Sequence, residues 1–357
     1  MASSPASLHL RRAADLAQRG RLRVEPNPVV GCVLVRAGRI VGEGWHAEWG
    51  GAHAEVAAIR AAGSMARGAT AYVTLEPCCH HGKTPPCADA LIAAGIREVV
   101  YAHADPNPQA SGSGPGRLRA AGVAVRRVRP DARVRRQLAP YLAHRAGRRP
   151  WVIAKWAMTL DGRIAAAGGD SRWISGDEAR ALIHERFRAS VDAILIGAGT
   201  LRADDPALTN RSSRGGTPLR VVAAGRGPLP SRARIFRDGG PTLLALPAAC
   251  RPPRGVAHLF CGSGGRVDLQ ALLRVLQSRG ISRLLVEGGG ALLGSLFDRR
   301  LVDQVAAVVS PKIIGGLHAP GPVGGRGGRR IGESLALTDR LVQAIGEDLL
   351  IEGLIRR

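Results

Sequence analysis

The sequence predicts an α/β protein of two domains. Strand-like runs rich in Val, Ile and Leu alternate with helix-like segments along the chain, which is typical of layered α/β folds. Its 357 residues are too many for one ordinary small domain and suit two. Residues 126–150 are rich in Arg and poor in large apolar side chains. We therefore expect one domain at residues 1–147 and a second at residues 148–357.

In the first domain, apolar spacing and turn residues predict alternating helices and strands. Helices are expected at residues 8–19, 53–62, 88–94 and 117–121. Strands are expected at residues 29–35, 39–45, 70–75 and 97–101. Ala37-Gly38 separates the first two strands and indicates a hairpin. The Arg-rich segment that follows is expected to form a connecting helix ending near Gly147.

The second domain shows the same alternation. Strands are expected at residues 151–157, 193–196, 219–223, 242–246, 283–286 and 304–309. Helices are expected at residues 177–188, 268–279 and 291–298. Residues 315–330 are rich in Gly, Pro and Arg, and this composition predicts a mobile loop.

The charge of the chain does not by itself indicate a nucleic-acid partner. The net charge is +23, but lysine occurs only at Lys83, Lys155 and Lys312, so arginine supplies nearly all of the positive charge. Aromatic residues make up 3% of the chain, which leaves few side chains for stacking bases. We expect no nucleic-acid partner, and a phosphorylated small molecule suits a basic surface equally well.

Membrane and export signals are also not expected. No run of residues approaches the ~20 consecutive apolar positions of a membrane span. The first residues lack the charged and then apolar layout of a secretory signal. We therefore expect a cytoplasmic protein without a membrane partner.

One His and two Cys form the strongest chemical pattern of the first domain. His53 precedes Glu55 by two positions, and Cys78 follows a proline and precedes Cys87 by nine positions. An imidazole and two thiolates suit zinc and leave its fourth coordination position free. Zinc lowers the pKa of a bound water to about 7, and Glu55 would carry the proton. The pattern predicts a zinc-dependent base deaminase, whose signature is H-x-E followed by P-C-x-x-C.

Two points of this pattern stay open in the sequence. Cys79 is an alternative ligand to Cys78, although the Pro-Cys order favours Cys78. Residues two apart on a straight helix point to opposite sides, so spacing alone does not bring His53 and Glu55 together. The two cysteines stand nine positions apart instead of three. This longer insert narrows the range of substrates that the deaminase is expected to accept.

Four segments of the first domain resemble the bifunctional riboflavin-biosynthesis deaminase/reductase family. They are PNPVVG at residues 26–31, HAE at 53–55, TLEPCCHHGKTPPC at 74–87 and DPNPQ at 105–109. The resemblance implies a cytidine-deaminase-like three-layer domain. It also implies that Asn27 faces the substrate, that Glu55 is catalytic and that His53, Cys78 and Cys87 bind zinc.

The second domain carries further segments that resemble this family. They are KWAMTLDGR at residues 155–163, SRWIS at 171–175, DAILIG at 192–197, DDPALT at 204–209, VEGGGALLG at 286–294 and PKIIG at 311–315. The resemblance implies a dihydrofolate-reductase-like α/β domain that uses NADPH. Independently of the family, three glycines between a predicted strand and a predicted helix either form a simple turn or let backbone N–H groups approach a phosphate.

The resemblance also implies which residues of the second domain bind ligands. The implied cofactor contacts are Ala157, Trp173, Thr200, Asp204, Gly289, Gly290, Ala291, Leu292, Leu293, Gly294 and Ser295. The implied substrate contacts are Ser171, Arg188, Leu208, Arg211 and Glu287. The guanidinium groups of Arg188 and Arg211 match a phosphate in a bidentate fashion.

The implied function is a pair of successive steps in riboflavin biosynthesis. Zinc-dependent deamination of 2,5-diamino-6-ribosylamino-4(3H)-pyrimidinone 5′-phosphate precedes NADPH-dependent reduction of the ribosyl side chain. The resemblance also implies a homo-oligomer. NADPH and NADH are not distinguished by the sequence.

Two other functions remain open. One is a tRNA or nucleoside deaminase with an inactive reductase-like domain, against which the long cysteine insert and the intact residues 287–290 argue. The other is an RNA-binding module built on Arg and Gly. The low aromatic content and the complete zinc pattern argue against the RNA-binding module.

Overall fold

The computed structural model describes residues 5–81, 84–107, 113–147, 149–225 and 227–356. Lys83 and the end of the DPNPQ segment lie outside these ranges. The chain divides into two compact units, Met1–Ala146 and Gly147–Arg357. Each unit contains its own sheet and its own apolar clusters. The α/β class predicted for both halves is confirmed.

The sheet of the first unit has five strands in the order β2-β1-β3-β4-β5. The strands are β1 (Gly31–Arg36), β2 (Arg39–Trp45), β3 (Thr70–Leu75), β4 (Glu98–His103) and β5 (Ala124–Arg127). β1 pairs antiparallel with β2 and β3, whereas β3, β4 and β5 run parallel. Ala37 and Gly38 both have positive φ, as a tight hairpin requires, and the expected hairpin is confirmed.

Helices cover both faces of this sheet. They are α1 (Pro5–Ala17), α2 (Ala54–Ala62), α3 (Cys87–Ala93), α4 (Ser113–Ala120) and α5 (Ala132–Ala146). Cys32 and Leu34 of β1 join a cluster with residues of α2, α3 and α4, whereas Val33 and Val35 pack with α1. Alternate residues of one strand therefore face two helical layers, and the expected three-layer domain follows.

Helix α2 lies against β2 without intervening side chains. A Cβ atom at Gly44 would stand 2.3 Å from the carbonyl oxygen of Ala54, and one at Gly42 would stand 2.4 Å from that of Ala58. Only glycine permits so close an approach of helix to strand. These two glycines therefore fix the position of α2, whose first turn carries Glu55.

The sheet of the second unit has nine strands in the order β10-β9-β8-β7-β11-β6-β12-β14-β13. They are β6 (Trp151–Thr159), β7 (Ala193–Gly197), β8 (Leu219–Ala223), β9 (Thr242–Leu246), β10 (His258–Phe260), β11 (Arg283–Val286), β12 (Gln304–Ser310), β13 (Leu337–Ile345) and β14 (Asp348–Ile355). The seven strands from β10 to β12 run parallel, and β14 and β13 close one edge as an antiparallel pair.

The helices of this unit connect the parallel strands. They are α6 (Asp177–Arg186), α7 (Ala198–Asp204), α8 (Leu269–Ser278) and α9 (Gly290–Asp298). Helix α8 begins where the Asp268 side chain accepts hydrogen bonds from the N–H groups of Gln270 and Ala271. The first turns of α7 and α9 follow β7 and β11, which are neighbours in the sheet. Ligand sites of open α/β sheets lie at such strand ends.

Five of the α-helices and strands in the described ranges are absent from the sequence-based prediction, namely β5, β10, α7, β13 and β14. β5 contains two arginines and is largely exposed, so it lacks an apolar pattern. The register of β13 shifts between Thr338 and Leu341, where Asp339 has positive φ, and this bulge breaks the alternation that would reveal a strand.

Residues 315–330 contain neither helix nor strand, as predicted. The segment lies against α9, because the Gly324 N–H donates to the Gly290 carbonyl at 2.9 Å. The Arg326 N–H donates to Oδ2 of Asp298 at 2.8 Å. A Cβ atom at Gly294 would stand 2.1 Å from the Gly324 carbonyl carbon. Glycine on both sides therefore permits this packing, and the mobility of the segment stays a prediction.

Across the described ranges, no helix combines the length and the apolar character needed to cross a membrane.

Candidate active sites

The first unit brings His53, Cys78 and Cys87 together. Their ligand atoms all lie within 4.8 Å of one another, although 34 positions separate the first residue from the last. His53 is the N-cap of α2 with an extended backbone, and Cys87 is the first residue of α3. Cys78 lies in the segment that follows β3. Two helix starts and one strand end therefore form the cluster.

The side chains of the cluster point toward a common centre. His53 Nδ1 lies 3.1 Å from Cys87 Sγ and 3.5 Å from Cys78 Sγ. The Cys87 N–H donates to Cys78 Sγ at 3.4 Å. Hydrogen bonds from Cys87 and His53 lower the pKa of the Cys78 thiol to about 4, against the opposing effect of burial. A thiolate is the form that binds a metal.

Cys79 lies elsewhere, since its Sγ is 2.6 Å from Ser113 Oγ. Of the two cysteines that the sequence left open, the geometry favours Cys78 as the ligand. One His nitrogen and two thiolates fit zinc, whose bonds to them measure about 2.0–2.3 Å and require ligand atoms spaced roughly 3.5 Å apart. The donor set leaves one tetrahedral position for another ligand.

Glu55 lies in the first turn of α2 and is 3% exposed. Burial, reinforced by the neighbouring Cys78, raises the pKa of its carboxyl group to about 7. His53 precedes the helix in an extended conformation. The rule that residues two apart on a straight helix point to opposite sides therefore does not apply to His53 and Glu55. A buried carboxyl group with a pKa near neutrality suits both uptake and release of a proton.

A cavity of 280 Å³ is lined by His53, Glu55, Cys78 and Asn27. Asn27 Nδ2 lies 3.1 Å from Nε2 of His46, and Nδ1 of His46 lies 3.1 Å from the Ala52 carbonyl. A carbonyl only accepts hydrogen bonds, so Nδ1 of His46 carries the proton and Nε2 accepts from the Asn27 amide. His46, which the sequence did not single out, therefore fixes the orientation of that amide.

A second group of residues lining this cavity lies in the part of the first unit that follows β4. It includes Asp105, Asn107, Tyr141 and Arg145. The Tyr141 hydroxyl donates to Oδ1 of Asp105 at 3.0 Å, and burial together with this carboxylate raises the pKa of Tyr141 to about 12. The sequence predicted α5 only as a connecting helix. The presence of one of the three tyrosines of the chain in that helix was the available signal.

In the second unit, the ends of β7 and β11 bring Thr200 next to the glycine-rich turn. A Cβ atom at Gly289 would stand 3.2 Å from Thr200 Oγ1, and one at Gly288 would stand 3.1 Å from it. Gly289 has a φ of 35° and is the N-cap of α9. The predicted cofactor contacts Gly290, Ala291, Leu292, Leu293, Gly294 and Ser295 occupy the first turns of α9.

Arg188 and Glu287 form a buried bidentate ion pair. The guanidinium donates to both carboxylate oxygens at 2.7 and 2.6 Å, and to the Thr209 carbonyl at 2.9 Å. Burial would raise the pKa of Glu287, but the charge of Arg188 and its hydrogen bonds lower it to about 2. Arg188 thus already contacts a carboxylate of this chain. Its expected contact with a substrate phosphate therefore requires N–H donors other than those that bind Glu287.

Lys155 and His184 belong to the same charged group. Burial, opposed by the charge of Glu287, lowers the pKa of Lys155. Burial and the nearby Arg188 lower the pKa of His184 to about 4. Neither residue was assigned a role in the sequence. The rarity of lysine in an arginine-rich chain was the signal for Lys155.

The other predicted contacts of the second unit form smaller groups. Ser171 Oγ lies 3.5 Å from Oδ1 of Asp204 at the end of α7. The Arg211 N–H donates to Nδ1 of His184 at 3.1 Å. Leu208 is buried with a φ of 50°, and the buried Arg220 donates to the preceding Ala207 carbonyl at 3.2 Å.

Trp173 and Ala157 are the remaining predicted cofactor contacts. Trp173 is 62% exposed, and the guanidinium of Arg180 lies 4.4 Å from its ring centre. Ala157 is in β6 and pairs with Val308 of β12. A second cavity of 600 Å³ is lined by Trp173, His184 and Arg211. The described residues of its lining include neither Thr200 nor Gly289.

Two protein families match this chain over separate ranges. Residues 3–103 match the cytidine and deoxycytidylate deaminase zinc-binding region. Residues 150–351 match the RibD C-terminal domain. The zinc-binding match covers His53, Cys78 and Cys87.

Two relatives match most of the length of this chain. The riboflavin biosynthesis protein RibD of Actinobacillus pleuropneumoniae is 39% identical over 361 residues, which cover 97% of this chain and 94% of the relative. RibD of Escherichia coli K12 is 41% identical over 323 residues, covering 86% of this chain and 88% of the relative.

Two solved structures are similar to this chain over nearly its whole length. Acinetobacter baumannii RibD, form 1, has a TM-score of 0.80 at 34% identity and covers 99% of both chains. A Thermotoga maritima protein is titled a diaminohydroxyphosphoribosylaminopyrimidine deaminase/5-amino-6-(5-phosphoribosylamino)uracil reductase. It has a TM-score of 0.79 at 35% identity and covers 98% of this chain and 99% of its own. The chain therefore belongs to the RibD family of riboflavin-biosynthesis deaminase/reductases.

Proposed function

We propose that the first unit deaminates 2,5-diamino-6-ribosylamino-4(3H)-pyrimidinone 5′-phosphate. We propose that the second unit then reduces the ribosyl side chain of the product with NADPH, giving 5-amino-6-ribitylamino-uracil 5′-phosphate. The observation that carries this proposal is the cluster of His53, Cys78 and Cys87, together with the cavity that His53, Cys78 and the buried Glu55 line. The relative from Thermotoga maritima, which is named for both activities, supports the substrate.

The deaminase residues divide the work between metal binding and proton transfer. His53 Nδ1 and the thiolates of Cys78 and Cys87 would hold zinc, which supplies Lewis-acid activation of water when bound. Glu55 takes the proton of the attacking water and delivers it to the departing amine, which leaves as ammonia. Its pKa of about 7 suits both transfers.

Asn27 orients the pyrimidine ring in this scheme. Its amide nitrogen donates to Nε2 of His46, so its carbonyl oxygen is left to accept a hydrogen bond from the substrate. The position of both residues in the wall of the cavity supports this role.

For the reductase, we propose that the turn Gly289–Ser295 binds a phosphate of the cofactor, with Ala157, Trp173, Thr200 and Asp204 as further contacts. NADPH supplies the hydride when bound. The α9 N-terminus offers backbone N–H groups and the positive end of the helix dipole. The proximity of Thr200 to this turn supports the assignment.

We propose that the substrate of the reductase lies against Ser171, Arg188, Leu208, Arg211 and Glu287. The buried Arg188–Glu287 pair fixes both side chains, so that each presents its remaining hydrogen-bonding groups without reorganisation. The charge of Lys155 interacts with the same pair.

The experiment that tests both steps is a paired assay on zinc-loaded protein. The diaminopyrimidinone ribosyl phosphate is supplied with and without NADPH, and ammonia and NADPH oxidation are followed. Ammonia in both samples, with NADPH oxidised only after deamination, is the expected result. Ammonia without NADPH oxidation would contradict the reductase step. The absence of both signals in zinc-loaded protein would favour a tRNA or nucleoside deaminase.

Glu55→Gln separates catalysis from metal binding. The amide keeps the size of the side chain but cannot transfer the proton, so ammonia release should be abolished. Zinc content and reduction of the deaminated intermediate should be retained. Loss of zinc or of reduction in Glu55→Gln would show that Glu55 is structural.

We further propose that the enzyme works in the cytoplasm as a homo-oligomer, which the family resemblance supports. Light scattering of the full chain at several concentrations tests the oligomeric state, and a monomer at all of them would contradict it.

A further inference from the structure

A hydrogen-bond network ties helix α5 to the deaminase cavity. The Asp105 N–H donates to Oε2 of Glu76 at 3.4 Å, and the Asn107 N–H donates to Oδ1 of Asp105 at 2.9 Å. The same Oδ1 accepts from the Tyr141 hydroxyl. Because Asp105 and Glu76 are both buried, the network is shielded from water. It fixes the position of Tyr141, and therefore of the helix that carries it.

Arg145 follows Tyr141 by one turn of α5 and lies on the same face of the helix. Its guanidinium carbon is 5.8 Å from the centre of the Tyr141 ring. Arg145 is exposed, yet it lines the same cavity as His53 and Glu55. A ring held by the Asp105 hydrogen bond thus supports an accessible guanidinium at the cavity.

The charges of the cavity wall single out Arg145. Among the described residues of the wall, Glu55, Glu76 and Asp105 are carboxylates, and Arg145 is the only Arg or Lys. A phosphate monoester carries nearly two negative charges at neutral pH. The phosphate can bind in this cavity only where a positively charged donor offsets its repulsion by those carboxylates. The planar guanidinium of Arg145 can donate two parallel hydrogen bonds to the phosphate.

We propose that Arg145 binds the 5′-phosphate of the pyrimidine substrate in the deaminase cavity and that Tyr141 positions its guanidinium. The inference rests on the proposed deaminase function and deepens it, because it assigns the residue that distinguishes a nucleotide from a nucleoside. Helix α5 then serves in substrate recognition in addition to ending the first unit.

The test compares Arg145→Met with Arg133→Met. Methionine keeps most of the apolar stem and removes the charge in both variants. Arg133 belongs to the same helix and is exposed, but it is not among the residues of the cavity wall. Ammonia release is measured on the zinc-loaded full chain with the ribosyl phosphate substrate and with its dephosphorylated counterpart.

In Arg145→Met, kcat/KM for the phosphorylated substrate should fall by about 10- to 100-fold through KM, the size expected for losing a charge-assisted pair. The value of kcat at saturation and the activity on the dephosphorylated compound should stay unchanged. Arg145→Lys should recover part of the loss. Inorganic phosphate should inhibit the wild type competitively and inhibit Arg145→Met more weakly.

Several outcomes would overturn the inference. One is an equal loss on both substrates in Arg145→Met, and another is an equal loss in Arg133→Met. A third is phosphate discrimination that depends on Lys83 instead, shown by a selective loss in Lys83→Met with Arg145→Met unaffected. If the wild type releases ammonia from the phosphorylated substrate, these outcomes leave the proposed function intact. If it releases none from either compound, the proposed function fails, and the inference fails with it.

Discussion

His53 contacts different groups through the two nitrogens of its ring. Nδ1 faces the thiols of Cys78 and Cys87, whereas Nε2 lies 3.4 Å from Oγ1 of Thr84. A metal bound at Nδ1 requires the proton at Nε2, where the Thr84 hydroxyl oxygen accepts it. Such a partner fixes the tautomer and the ring orientation of a metal-ligating histidine. The insert between the two cysteines therefore supports the metal site as well as lining the cavity.

Thr84→Val tests this support. Valine keeps the shape of the side chain and removes the acceptor of the Nε2 proton, so zinc should bind about 10-fold more weakly. Competition with a chromophoric chelator gives the affinity without any activity measurement. Thr84→Ser, which retains the hydroxyl, is the matched control and should bind zinc like the wild type. Equal affinity in Thr84→Val and the wild type would contradict a role for Thr84 in positioning His53.

Single residues differ in how far the sequence reveals them. His53, Glu55, Cys78 and Cys87 could be predicted, because zinc chemistry restricts both the residue types and their spacing. The contact of Tyr141 with Asp105 joins positions 36 apart and depends on where α5 packs. No local pattern encodes such a contact, and the same holds for the hydrogen bond between Asn27 and His46.

Several strands were predicted to the residue. β2 (Arg39–Trp45), β3 (Thr70–Leu75) and β8 (Leu219–Ala223) begin and end where the sequence placed them. The edge strands β5, β10 and β13 were missed, because an edge strand buries little and its composition follows solvent exposure. The edge strand β2 was nevertheless predicted, because its sequence is β-rich and follows a recognisable hairpin turn. The packing of α2 on β2 is a feature that the sequence reveals only in part. The sequence shows Gly42 and Gly44, but only the structure shows that the helix backbone lies directly above them.

Gly44→Ala should destabilise the first unit by about 1–3 kcal/mol, the usual cost of overpacking. The added methyl group would stand 2.3 Å from both the Ala54 carbonyl oxygen and the Ala58 nitrogen, so the helix must shift. Since the first turn of α2 carries Glu55, deamination should also decline. Thermal unfolding followed by circular dichroism, together with ammonia release, measures both effects.

Gly116→Ala is the control for this substitution. Gly116 lies in α4, and a Cβ atom there meets no atom within 4 Å. Alanine is favoured over glycine in a helix by about 0.8–1.0 kcal/mol, so this variant should be as stable as the wild type or more so. Equal stability of Gly44→Ala and Gly116→Ala would show that α2 does not lie on β2 as described.

At the scale of the whole molecule, the apolar clusters of the described residues fall into two sets. One set draws on residues from Leu10 to Val134, and the other on residues from Val152 to Ala307. The proposed zinc ligands all belong to the first unit. A ligand stabilises the structure that binds it, in proportion to its concentration and affinity. Removal of zinc should therefore affect the two units unequally.

Hydrogen exchange of the full chain, before and after treatment with a chelator, measures this inequality. Exchange should accelerate in peptides covering α2, which begins directly after His53, and α3, which begins at Cys87. Peptides covering β7 and β11 should keep their protection, because their strands pair within the second sheet. The chelated protein should also continue to oxidise NADPH when it is given the deaminated intermediate. Equal acceleration in both units would mean that zinc stabilises the chain as one cooperative structure, and restoration of protection by added zinc would exclude irreversible damage by the chelator.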